Sequence, residues 1–126
     1  MKKLFFPLFF LLAACSSRPS HEDCKSFHTG EFRYHNVPDS DTRIVRTADR
    51  QIETSEKNGF KDEYAVVWAN DCRYQLVLLA TNRPEGIPIA IGDTISTLIT
   101  SIDGDSYEFR WNYEQQHYGA QLQKVK

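Results

Sequence analysis

The residues of this chain whose types and spacing could do chemistry are three cysteines, four histidines, a few acidic clusters and one stripe of alternating aromatics. The histidines, His21, His28, His35 and His117, form no His-x-His or HExxH pair; they read as solvated side chains, and no metal site is expected. Asp103-Gly104-Asp105 has the look of a calcium loop. The further ligands and flanking helices that such a loop needs are missing, so a hairpin turn is the better reading. Carboxylate pairs for acid–base work could be drawn from any of the seventeen acids, and spacing singles out none. No G-x-S-x-G, G-x-G-x-x-G or Walker pattern occurs, so no cofactor is expected and the chain reads as non-catalytic. Tyr107, Phe109, Trp111 and Tyr113 stand at alternate positions and share one strand face. Such a stripe can line a cavity for an apolar ligand, offer a stacking surface, or fill a core, and core is the commonest use of aromatics.

Cys15 has a chemistry of its own. Lys2 and Lys3 form a positive head, Leu4 to Ala14 is an apolar run of eleven residues broken by Pro7, and the small residues Ala13 and Ala14 precede the cysteine. That is the layout of a secretory signal, and the run falls well short of the roughly 20 residues a spanning helix needs. Leu12-Ala13-Ala14-Cys15 resembles the bacterial lipoprotein box, [LVI]-[AST]-[GA]-Cys. The resemblance implies a diacylglyceryl group on the Cys15 thiol, cleavage before Cys15 and acylation of the new amine, with palmitate among the chains. A single acyl chain binds a membrane only marginally, and a triacylated cysteine anchors durably. Ser16, and not an inner-membrane retention aspartate, follows the anchor, so the outer membrane is the expected location.

Removal of residues 1–14 leaves 112 of 126 residues, the size of one small domain. The two leader lysines go with the signal; thirteen cations then face seventeen carboxylates, a net charge of −4 with histidines neutral. That balance and export both argue against nucleic acid as a partner. Cys24 and Cys72 remain, and in an oxidising compartment two cysteines most simply pair. No CxxC or Cys/His cluster supports free thiols or a metal pair instead. The bridge would contribute about 4 kcal/mol in the chain-entropy model.

Positioning these residues falls to strands. Residues 15–23 read as anchor and polar tether, and residues 24–126 as the folded domain. From Phe27 onward the dominant period is two. Strands are expected at Glu31–His35, Arg43–Arg46, Gln51–Ser55, Glu63–Ala69, Cys72–Thr81, Thr94–Ile102, Tyr107–Tyr113 and Tyr118–Val125. Turn chemistry separates them at Val37-Pro38-Asp39, Ala48-Asp49, Asn58-Gly59 and Asp103-Gly104-Asp105. A three-residue loop, Ala69-Asn70-Asp71, would pair Trp68 with Cys72, Val66 with Tyr74 and Tyr64 with Leu76, keeping one apolar face. Asn82–Gly92 reads as a long loop whose Ile87, Ile89 and Ile91 could cover an open end of the sheet. Arg33, Arg43, Arg46, Arg50, Arg73 and Arg110 are placed on the outer face, paired with acids such as Glu31, Glu53 and Glu108. The fold class is all-β: an antiparallel meander of seven or eight short strands rolled into a small barrel or half-barrel, lipocalin-like in shape, with one disulfide.

Cys24-x-x-Phe27-x-Thr29-Gly30-x-Phe32, Gln51-Ile52-Glu53 and Trp68-x-Asn70-Asp71-Cys72-x-Tyr74-x-Leu76 together resemble a family of small bacterial exported proteins. The segment 104–109 also fits. The resemblance covers most of the domain; it implies a two-cysteine framework and an all-β fold, and it carries over no activity and no catalytic residue. Some members of that family bear a DNA topoisomerase IV label. A topoisomerase needs a tyrosine nucleophile with a metal site, large moving domains and cytoplasmic DNA, none of which about 112 exported residues supply.

The expected role is a membrane-anchored envelope lipoprotein whose domain is a non-catalytic protein-interaction module. The alternative is a carrier of a small apolar ligand in the barrel interior, lined by Tyr64, Tyr74, Phe109 and Trp111. A cavity of several hundred Å³ favours the carrier, a filled interior with an exposed apolar patch favours the module, and a buried pair of ionisable groups in a cleft favours an enzyme.

Overall fold

The computed structural model describes residues 21–83 and 89–126. The expected leader, the expected lipidation site at Cys15, the first part of the expected tether, and Ile87 lie outside the described residues. A short helix, α1 (His21–Lys25), precedes eight strands: β1 (Gly30–Tyr34), β2 (Arg43–Arg46), β3 (Arg50–Ser55), β4 (Phe60–Asn70), β5 (Arg73–Thr81), β6 (Thr94–Asp103), β7 (Ser106–Tyr113) and β8 (Gln116–Lys124). Each strand pairs antiparallel with the next, and β8 returns to β1, so the sheet is a closed up-and-down barrel. Its outline is lipocalin-like. Closure removes both exposed edges, which a half-barrel would leave.

Alternation does the sorting. Phe32, Ile44, Tyr64, Val66, Tyr74, Leu76, Leu78, Ile95, Ile99, Tyr107, Phe109 and Leu122 point inward and form the buried core with Cys24 and Phe27. Closure depends on a glycine. Gly30 opens β1 at φ +137°, and a Cβ there would lie 2.7 Å from both Lys124 Cε and the Lys126 carbonyl oxygen. Only glycine combines that backbone with so close an approach.

The β4–β5 hairpin departs from expectation. Trp68 faces Tyr74, Val66 faces Leu76 and Tyr64 faces Leu78, a shift of two from the expected pairs. The turn is the two residues Asp71 and Cys72, and the register slips between Trp68 and Asn70. That bulge absorbs Ala69, so a two-residue turn keeps Trp68 off Arg73 and the aromatic face stays inward. At the β7–β8 turn, Glu114 (φ +46°) and Gln115 (φ +66°) both adopt left-handed backbone. This is the two-residue hairpin geometry usually signalled by Asn-Gly, and without that signal β8 begins two residues before its expected start.

Cys24 and Cys72 are joined by a disulfide, which ties α1 to the β4–β5 turn. Five of the six arginines placed outside are exposed there: Arg33, Arg43, Arg50, Arg73 and Arg110. Arg43 pairs with Glu31, whose carboxyl it holds below the usual range. Arg46 is the exception. It is 2% exposed, inside the barrel, because Ile44 faces in and a residue two further along a strand shares its face.

Candidate functional site

The two ends of the barrel are built differently. At the end carrying the β2–β3, β4–β5 and β6–β7 turns, α1 and Phe27 form a plug. Phe27 is 2% exposed and packs on Tyr107 at 4.9 Å and on Phe32 at 6.5 Å. Arg46 is the hub beneath it. Its Nη1 donates to the Phe27 carbonyl (2.7 Å), its Nε to Gln51 Oε1 (2.8 Å), and its Nη2 to the hydroxyls of Tyr107 (3.0 Å) and Tyr74 (3.3 Å). The guanidinium also lies 4.7 Å from the Phe32 ring centroid and 4.8 Å from that of Tyr74. A buried cation is tolerable when its N–H groups find acceptors, and four bonds plus aromatic faces meet that need. His28, expected in solvent, is half-buried here. It stacks on Trp68 at 3.5 Å and donates from Nε2 to the Asp71 carbonyl at 2.8 Å.

The other end, carrying the β1–β2, β3–β4, β5–β6 and β7–β8 connections, holds a cavity of about 210 Å³. At roughly 30 Å³ of liquid volume per water, that is room for about seven waters or a small organic molecule. The four residues proposed from the sequence, Tyr64, Tyr74, Phe109 and Trp111, all line it. Tyr34, Ile89 and Ile95 complete its apolar wall, and Trp111 is braced from behind by Tyr118, stacked at 4.1 Å. Ile89 thus lies where the alternating isoleucines were expected to reach, whereas Ile91 is 64% exposed.

Sequence reasoning placed Glu53 outside and singled out no carboxylates, and here it missed the polar half of the site. Glu53 lines the cavity, because Gln51, Glu53 and Ser55 share the inner face of β3. Burial first, and then the nearby Asp62, raise its carboxyl, against the opposing pull of Gln51, Arg46 and Arg83, to about 6. Among the described residues its hydrogen bond is a long one: Gln51 Nε2 donates at 3.4 Å. Asp62, 1% exposed, accepts from Thr81 (2.6 Å) and from Arg83 Nη2 (2.6 Å), and Arg83 in turn lies 3.6 Å over the Phe60 ring. Burial and then Glu53 drive the hydroxyls of Tyr34 and Tyr64 further above their ordinary range, so both stay neutral donors. Among the described residues no three or more His, Cys, Asp or Glu side chains cluster to hold a metal.

No protein-family model, curated protein or solved structure matches this chain. Its function is therefore argued from the barrel and its cavity.

Proposed function

We propose that this is an envelope lipoprotein, anchored through Cys15 to the outer membrane, whose barrel binds a small and largely apolar molecule. One observation carries the binding reading: one end of the barrel is filled by its own plug, while the other holds a cavity of about 210 Å³ walled by Tyr34, Tyr64, Phe109, Trp111, Ile89 and Ile95. Concave, mostly apolar sites with few polar groups are where small ligands bind. The volume lies below the range for drug-sized ligands, which points to a molecule of about ten heavy atoms.

The reading is non-catalytic. Glu53 and Asp62 are the buried ionisable pair that could suggest an acid–base enzyme, but Asp62 has both oxygens engaged by Arg83 and Thr81, so no free dyad faces the cavity. The protein-interaction reading draws support from the outer face of β4 and β5, where Val67 and Leu79 are 54% and 40% exposed. That is a small patch, and scattered exposed apolar residues are ordinary.

Native mass spectrometry of the mature lipoprotein, released from detergent micelles, tests the binding reading. An added mass that leaves on denaturation supports it. A clean apo mass, with no small molecule from a fragment set protecting the barrel from thermal unfolding, refutes it and shifts the case to partner capture by cross-linking at Val67. For the anchor, Cys15→Ser is expected to abolish palmitate labelling in cells; persistent labelling would sink that part.

A further inference from the structure

Resting on the ligand-binding reading, we infer that the cavity selects a ligand bearing a cationic nitrogen, seated against Glu53 within the aromatic wall. Among the described residues, the charges inside this barrel are matched with one exception. Arg46 has four acceptors, and Asp62 has Arg83 and Thr81. Glu53 makes no ion pair among the described residues and has a single long hydrogen bond, although an ionised carboxylate offers about four acceptor sites. Buried charges are ordinarily paired, so Glu53 is short of a donor on the side that faces the cavity.

The walls suit the same ligand. Tyr34, Tyr64, Phe109 and Trp111 all line the cavity, and aromatic side chains attract ammonium groups to their electron-rich faces. The hydroxyls of Tyr34 and Tyr64 have no hydrogen-bond partner among the described residues, and both residues line the same cavity. An anionic ligand would meet Glu53 directly and would have to draw Arg83 away from Asp62. A cation meets no such obstacle: Arg83 is already neutralised, and Arg46 lies beyond Gln51, whose amide accepts from Arg46 on one side and donates to Glu53 on the other.

The test uses the mature lipoprotein in detergent and three probes that differ in charge: benzyltrimethylammonium, its uncharged isostere neopentylbenzene, and phenylacetate. Calorimetry is expected to show the cation binding about tenfold or more tightly than the isostere, with phenylacetate weakest. Glu53→Gln is expected to remove that preference, bringing the cation's affinity down to about that of the isostere. As an independent check on unaltered protein, affinity for the cation is expected to fall as pH drops through about 6, where Glu53 takes up its proton. The charged and titratable groups facing Glu53 are Tyr34 from β1, Arg46 from β2, Asp62 and Tyr64 from β4, Tyr74 from β5 and Arg83 beyond it. Equal binding of cation and isostere, or a preference that survives Glu53→Gln, overturns the inference while the ligand-binding reading stands. Failure of every probe to bind overturns the inference as well, and a clean apo mass with no fragment protecting the barrel would take the binding reading with it.

Discussion

The two ends of this barrel each bury a charge, and they treat it in opposite ways. Arg46 at the plugged end is given four hydrogen bonds and two close aromatic faces by residues from five different parts of the chain. Glu53 at the cavity end is given one long contact. A satisfied buried charge locks a structure, because removing it strands every partner; an unsatisfied one lowers stability and leaves room for something else to satisfy it. Similar strands and a similar inward position therefore produce a structural device at one end and a candidate site at the other.

The sharpest way to break this comparison is at Arg46. Arg46→Ala leaves the Phe27 carbonyl and Gln51 without their donor and the Tyr74 and Tyr107 hydroxyls with only each other, and it is expected to destabilise the barrel by about 3–5 kcal/mol in chemical denaturation. A loss below about 1 kcal/mol would mean the hub is not structural. Next comes the disulfide. Cys24→Ser with Cys72→Ser releases α1 from the β4–β5 turn and is expected to lower stability by about 2–4 kcal/mol, with cavity binding retained once the domain is folded.

At the cavity end the sign reverses. Burial lets Glu53 keep its proton in the folded barrel up to about pH 6, above the ordinary carboxyl value of 4.5. The folded state therefore loses stability as pH rises through that window, by up to about 2 kcal/mol once above it. Glu53→Gln is expected to recover that amount at pH 7.5 and to show no gain at pH 4. A destabilised variant at pH 7.5 would place Glu53 with Arg46 as a structural residue. The smallest effect is expected at Trp111, half-buried and stacked on Tyr118: Trp111→Leu costs about 0.5–1.5 kcal/mol for the lost ring pair and enlarges the cavity, read as a shift in ligand size preference.

Much of this contrast was legible in the sequence, but unevenly. The motifs around Cys24, Phe27, Gly30 and Phe32, and around Trp68, Cys72 and Tyr74, fall largely on the plug and the seam. They build the frame of the barrel, which is why they pointed to a fold and not to an activity. The aromatic lining was also readable, since Phe109 and Trp111 alternate in an otherwise polar strand. The charged interior was not. Arg46, Glu53 and Asp62 carry side chains that ordinarily belong outside, and residue type overrode position. The period-two rule applied to Ile44 and Arg46, or to Asp62 and Tyr64, would have turned Arg46 and Asp62 inward, whereas Glu53 shares its face with the polar Gln51 and Ser55 and alternates with Ile52, so no apolar neighbour marked it. The hairpin register was missed because a bulge is invisible to strict alternation.

The seam between β1 and β8 bears on how the molecule comes together in time. Seven of the eight strand junctions join neighbours along the chain, and only this one joins Phe32 and Tyr34 to residues 122–124. Closing so long a loop costs about 2 kcal/mol more entropy than closing a hairpin, and the seam's three paired positions, with the flanking backbone bonds of Glu31 and His35, form only once that cost is met. The meander is thus expected to zip first as an open, twisted sheet, with ring closure as the last and least protected step. In hydrogen exchange the amides of β1 should open before those of β4 and β5. Until Gly30 has met the Lys126 carbonyl there is no enclosed interior, so the cavity is the final feature of the fold to exist.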